Sequence, residues 1–191
     1  MKRRDFLTNT ALLGAGGAAA AGAPLDLWGK GTGKSGFTLW QLPSQVDTIG
    51  NSFVFLTDKG RVIVMDGGMN DETLFLRGFI AALGNEVEAW FTSHPHNDHV
   101  GALTKILQKP DGMKINKVYH SRFSDSLLAC EAPYQQYALD YYEALDKSGI
   151  EVANQTEPGL TGQIDGLNFK ILGVTNEEFR TNPYNNSSMI I

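Results

Sequence analysis

The stretch Thr92-Ser93-His94-Pro95-His96-Asn97-Asp98-His99-Val100-Gly101-Ala102-Leu103 limits the fold more than any other part of this chain. It sets four candidate metal ligands, His94, His96, Asp98 and His99, within six residues, directly after an apolar run over 87–91. Imidazoles two positions apart converge on one ion only where the backbone turns sharply between them. Asp98 and His99 then bring a carboxylate and a third imidazole within reach of a second ion. The preceding run is β-branched and aromatic, and beyond His99 the residues Val100, Leu103, Ile106 and Leu107 recur at helical spacing. The expected order is strand, ligand loop, helix, with His94 and His96 on the loop and Asp98 and His99 at the helix start. Ligands clustered on one loop imply a dinuclear hydrolytic centre.

The other segments predict an α/β layer architecture. A strand is expected over 37–42, and a hairpin from runs over 50–56 and 61–68, turning at Thr57-Asp58-Lys59-Gly60 and closing on Asp66-Gly67-Gly68. Asn70 is placed to cap a helix with Asp71 and Glu72 in its first turn, an apolar stripe of Leu74, Phe75, Phe79 and Leu83, and Gly84 at its end. Further strands are expected over 114–119 and 167–174, the latter after a tight turn at Asp165-Gly166. A helical region over 124–147, interrupted at Pro133, presents Tyr134, Tyr137, Tyr141, Tyr142 and Leu145. Tyrosines at this spacing read as partly buried packing, with a substrate groove as the alternative. Gly29-Lys30-Gly31-Thr32-Gly33-Lys34-Ser35 imitates a phosphate-binding loop, but Trp28 stands where that pattern needs glycine, so the stretch reads as linker.

The arrangement His94-x-His96-x-Asp98-His99 after a strand resembles the hallmark of the metallo-β-lactamase fold hydrolases, and Asp66-Gly67-Gly68 resembles a second element of that family. The resemblance implies a metallo-β-lactamase-like αββα sandwich, of which residues 37–191 would be the N-terminal part only. It implies two zinc ions, the first held by His94 and His96 and the second by Asp98 and His99. Asp98 doubles as the catalytic carboxylate, and Asp66 supports the metal loop from behind. The substrate would be a small molecule or a phosphodiester, cleaved at an ester, amide, lactone or phosphodiester bond by activated water. Asn185-Asn186-Ser187-Ser188-Met189-Ile190-Ile191 resembles the Asn-x-Ser strand of a branch that includes hydrolase domains of bacterial DNA-uptake proteins, and carries no substrate claim.

The family completes its metal set with a third histidine, a bridging aspartate and a last histidine from the second half of the domain, and those motifs do not follow here. The chain contains four histidines, so His120 alone cannot supply both that the resemblance still requires. His120, closing the 114–119 strand, is expected at the surface near the mouth of the site. Residues 188–191 read as an apolar strand without a turn or cap. The expectation is an N-terminal fragment of a longer exported hydrolase; the alternative is a non-catalytic exported binding module that retains a partial metal site.

Met1-Lys2-Arg3-Arg4-Asp5-Phe6-Leu7 and the Ala/Gly-rich run over 11–23 form a basic start, a modest apolar middle and small residues suited to cleavage. Arg3-Arg4-x-Phe-Leu resembles the twin-arginine export signal, which predicts a signal peptide over 1–23, a flexible linker over 24–36, and a bacterial periplasmic or secreted protein carried by the twin-arginine machinery. The run is shorter and less apolar than the roughly 20 residues a membrane span needs. Cys130, the single cysteine, excludes an intrachain disulfide and is expected to be small buried filling. Removing Lys2, Arg3, Arg4 and Asp5 with residues 1–21 leaves 13 basic against 20 acidic residues, a net charge of −7. An acidic surface offers no footprint for non-specific nucleic-acid or membrane binding.

Overall fold

The structure, a computed structural model, describes residues 36–191. The expected export signal over 1–23, the glycine-lysine stretch 29–35 and the expected linker as far as residue 35 lie outside the described residues.

Strand alternation builds two layers. In β2 (Ser52–Thr57) and β3 (Val62–Asp66), Val54, Val62 and Val64 face one side while Phe55, Ile63 and Met65 face the other. In β5 (Ala89–Phe91), Trp90 faces the first side, with Ala89 and Phe91 opposite; in β7 (Lys117–His120), Val118 and Tyr119 divide likewise. Strands apolar on both faces belong in the middle of a covered sheet. With β1 (Phe37–Gln41) and β8 (Glu151–Asn154) at its edges, the six-stranded sheet runs β1-β2-β3-β5-β7-β8. Its first two pairings are antiparallel and the rest parallel.

The first face is covered by helices α1 (Thr73–Ala82), α2 (Asn97–Gln108) and α4 (Gln135–Ser148), whose buried Leu76, Ile80, Leu103, Ile106, Tyr141 and Leu145 join Val64 and Trp90 in one core. The second face is partly covered by the hairpin β9 (Thr161–Ile164) and β10 (Leu167–Lys170), which sets Phe169 against Phe91 and Tyr119. Its turn is the expected Asp165-Gly166, both at positive φ. Asp165 pins the hairpin to the β2–β3 turn by accepting from Thr57 Oγ1 at 2.5 Å and pairing with Lys59 Nζ at 2.8 Å. Two short strands, β4 (Glu86–Val87) and β6 (Lys114–Ile115), pair with each other outside the main sheet. No helix among the described residues is long and apolar enough to cross a membrane.

Several local expectations need correction. Asn70 opens a 3-10 turn, Asn70–Glu72, and does not cap an α-helix; Glu72 is buried there, accepting the backbone N–H groups of Met69 and Gln45. With α1 starting at Thr73, the helical period turns Leu76 and Ile80 inward and leaves Leu74 82% exposed. Pro133 falls in a break between a short α3 (Asp125–Leu128) with its 3-10 turn Ala129–Glu131 and α4. Cys130 lies on that turn, free and exposed, because the inward positions are taken by Leu127 and Leu128 of α3, just before it. Residues 183–191 do not form a strand: Asn182 at positive φ and Pro183 start the short α5 (Pro183–Asn186), and only an isolated bridge joins Ile190 to Gly173.

His120 is no surface residue. It is 3% exposed, packed edge-on against Tyr141 and Tyr142, and its Nδ1 has no hydrogen-bond partner among the described residues. Burial, with Arg122 adding to it and Asp146 opposing, lowers its pKa to about 4. The unfolded chain, with an imidazole pKa near 6.5, therefore binds the proton first, and stability falls as pH drops from about 6.5 to about 4. We expect the protein to lose about 3 kcal/mol more than His120→Phe between pH 7 and pH 4 in urea unfolding. Equal acid sensitivity in the two would contradict this role for His120.

Candidate metal centre

The site is assembled where β3 ends against the start of α2. Asp66 has φ of 56° and Gly68 of 80°, so the chain reverses sharply after the strand. At Gly68 a Cβ would lie 2.2 Å from Glu72 Oε2, which with the positive φ restricts the position to glycine. The turn is bonded directly to the helix, Gly67 N–H to His99 O at 2.6 Å and Ala102 N–H to Gly68 O at 3.0 Å. Gly101 permits the approach, since a Cβ there would meet Asn70 N at 2.6 Å. Below the turn, Trp90 Nε1 donates to Asp66 O at 3.0 Å.

The Asp66 carboxylate accepts the backbone N–H of Ser93 at 2.8 Å and its hydroxyl at 2.9 Å, and lies 2.8 Å from His99 Nδ1. That bond fixes the His99 ring and turns its Nε2 toward Asp98 Oδ2, 3.5 Å away, with Asn51 Nδ2 at 3.3 Å. His94 Nδ1 meets the hydroxyls of Ser93 and Ser188 at 3.0 and 3.2 Å, and His96 Nε2 lies 2.9 Å from Glu131 Oε2. The remaining nitrogens, His94 Nε2 and His96 Nδ1, face each other at 3.0 Å.

Proton bookkeeping at this pair tests the fit of a cation. The Ser93 hydroxyl can donate to Asp66 and the Ser188 hydroxyl to Asn185 O, an arrangement that sets the His94 proton on Nδ1. Glu131 holds the proton of His96 on Nε2. With the His94 proton on Nδ1, two lone pairs converge, which a shared cation satisfies; with it on Nε2, the same contact is an N–H···N hydrogen bond. Two ligands at metal distance in tetrahedral geometry stand about 3.3 Å apart. The His94–His96 separation of 3.0 Å and the Asp98–His99 separation of 3.5 Å bracket that value. The His94 and His99 rings lie 3.9 Å apart, so the two pairs are adjacent. Among the described residues no group of three His, Cys, Asp or Glu side chains gathers on one point; the donors come in pairs.

Burial, reinforced by the neighbouring His99 and His96, pushes the His94 pKa down to about 2 and keeps the ring neutral, the form that binds metal. Burial acts in the same direction on His99, but its bond to Asp66 and the charges of Asp66 and Asp98 outweigh it and raise the pKa. His96 and Asp98 border a cleft of about 370 Å³ whose other walls include Ile49, Met69, Tyr134, Tyr137 and Asn185. The tyrosines thus divide: Tyr134 and Tyr137 are exposed at the cleft, while Tyr141 and Tyr142 are core.

The structure brings His94, His96, Asp98, His99 and Asp66 together and leaves His120 in the core beside α4. Sequence reasoning missed Ser93, Ser188, Asn51 and Glu131 as partners of the ligands. Adjacency to the motif was a signal for Ser93; Glu131, on a 3-10 turn 35 positions from His96, carried none.

Residues 46–170 match the family described as the metallo-beta-lactamase superfamily. No curated protein matches the chain. Among solved structures, the subclass B3 metallo-beta-lactamase BJP-1 of Bradyrhizobium japonicum is similar at 16% identity, covering 74% of this chain and 50% of that one, with a TM-score of 0.46. The metallo-beta-lactamase fold protein YhfI of Bacillus subtilis matches at 14% identity over 74% and 54%, with a TM-score of 0.45. A mutant flavo di-iron protein of Thermotoga maritima matches at 19% identity over 65% and 27%, with a TM-score of 0.42. The chain spans about half the length or less of these structures.

Proposed function

Because the chain belongs to the metallo-beta-lactamase superfamily, whose members are generally metal-dependent hydrolases, we propose that it supplies the first half of a dinuclear zinc centre that hydrolyses an ester, amide, lactone or phosphodiester bond. The observation that carries this reading is the approach of His94 Nε2 and His96 Nδ1 to 3.0 Å, while the other nitrogen of each ring is bonded to Ser93 and Ser188 or to Glu131. His94 and His96 would hold the first ion, Asp98 and His99 the second, and the rest of each coordination shell would come from groups beyond these pairs. Bound divalent ions would acidify water and stabilise negative charge developing on a substrate oxygen, chemistry that serves acyl and phosphoryl transfer alike. Asp66 and Ser93 keep His99 and His94 oriented, and Asp98 faces the cleft as the catalytic carboxylate. Ile49, Met69, Tyr134 and Tyr137 give the cleft apolar walls, which support a substrate with an apolar group beside the scissile bond. The fold name does not select a β-lactam among these bonds.

Zinc titrated into the protein is expected to bind saturably. His96→Ala should weaken uptake by more than the roughly 10–100-fold that follows loss of a supporting hydrogen bond, and should remove any hydrolysis of ester or phosphodiester probes. Iron in place of zinc on metal analysis would correct the ion. A folded protein that takes up no divalent ion would sink the reading and favour a non-catalytic binding module.

A further inference from the structure

We propose that Glu131 is the positioning residue of the first ion's half-site, as Asp66 is of the second's, an inference that rests on the metal-binding reading above. Glu131 ends the 3-10 turn Ala129–Glu131, and its two carboxylate oxygens have separate tasks. Oε1 accepts the backbone N–H of Tyr184 at 2.9 Å, and Oε2 takes the Nε2 proton of His96 at 2.9 Å. The side chains of Glu131 and His96 are only 12% and 11% exposed, so water competes weakly for either bond. The His96 ring is also flanked by Tyr134 and Tyr184, at 4.9 and 4.8 Å between centroids.

The consequence concerns the tautomer. A carboxylate accepts and cannot donate, so the nitrogen facing Glu131 must carry the hydrogen, and the Nδ1 lone pair is left pointing at His94 Nε2. His99 shows the mirror case: Asp66 holds the proton on Nδ1 and leaves Nε2 toward Asp98. Each pair of donors thus has its own carboxylate, Asp66 buried and Glu131 partly buried, from different elements of the fold. Asp66 sits on β3 and serves Asp98–His99; Glu131 sits beside α3 and serves His94–His96. Asp66 reaches His99 directly and His94 only through Ser93, whereas Glu131 bonds His96 directly and ties the first half-site to the α5 segment through Tyr184.

The test compares the full chain with Glu131→Gln and Glu131→Asp. In metal-free protein labelled with ¹⁵N-histidine, long-range ¹H–¹⁵N spectra are expected to show His96 as the Nε2–H tautomer. In Glu131→Gln that form should give way to a mixture while His94 and His99 are unchanged. In competition titrations with Co²⁺ or Zn²⁺, Glu131→Gln should lose about 10–100-fold in affinity for one equivalent of metal and keep the other within about twofold. Glu131→Asp, which retains the acceptor, should recover part of that loss. An unchanged His96 tautomer with both affinities intact overturns the proposal. So does an equal loss at both equivalents accompanied by a drop in melting temperature, the mark of a mere staple between the 3-10 turn and Tyr184. If the unaltered chain takes up no metal, the proposed function fails, while the tautomer spectra still decide whether Glu131 governs His96.

Discussion

Asp66→Ala is expected to destabilise the protein by about 3–5 kcal/mol, the range for removing one partner of a buried charged pair, and to loosen the metal loop at once. Asp66 is 4% exposed, and its carboxylate is the acceptor for the Ser93 N–H, the Ser93 hydroxyl and His99 Nδ1. Alanine leaves those donors buried without a partner and gives His99 no reason to keep its proton on Nδ1. It also places a residue with no local hydrogen-bonding side chain at a φ of 56°. Asp66→Asn separates the causes. Asparagine tolerates that backbone and fills the same space, so it should recover the strain but not the orientation of His99. Urea unfolding and metal titration of both variants check this, and an Asp66→Ala protein of unchanged stability would mean that the carboxylate does not organise the loop.

Trp90→Ala is expected to cost about 3–5 kcal/mol from the lost side chain and the cavity, with a fall in melting temperature of about 10 °C for a chain of this size. The indole is fully buried at the centre of the first-face core, lies close under Gly67, and donates to the Asp66 carbonyl. The defect would therefore open beneath the Asp66-Gly67-Gly68 turn, and metal affinity should fall along with stability. Trp90→Phe keeps most of the packing and loses only the N–H, so it should recover the larger part. Thermal unfolding of the two variants measures the division; a Phe variant as unstable as the Ala variant would shift the weight from packing to the hydrogen bond.

The ligand loop was legible because its information is local. His94, His96, Asp98 and His99 are spaced to fit a turn entering a helix, and the structure gives that order, with α2 beginning at Asn97. The β2–β3 hairpin and the Asp165-Gly166 turn were legible for the same reason, since strand period and turn chemistry lie within a few residues. Leu74 was misassigned because the phase of a helix depends on where it starts, and a 3-10 turn shifted that start to Thr73. The strand expected over 114–119 breaks at Asn116 into β6 and β7, which pair with different neighbours, a matter of sheet assembly that no run of residues encodes.

The sequence by itself determined the layered α/β class, the loop that gathers His94, His96, Asp98 and His99, and the turn that starts at Asp66, because each follows from residue types at short spacing. Only the tertiary structure decided which groups hold those side chains: Glu131 behind His96, Ser188 beside His94, Asn51 beside His99. It also decided that His120 and Cys130 exchange their expected places, the histidine buried and the cysteine exposed. Those partnerships join residues 35 to 94 positions apart, and contacts of that range are set by how helices and strands pack, not by any pattern along the chain.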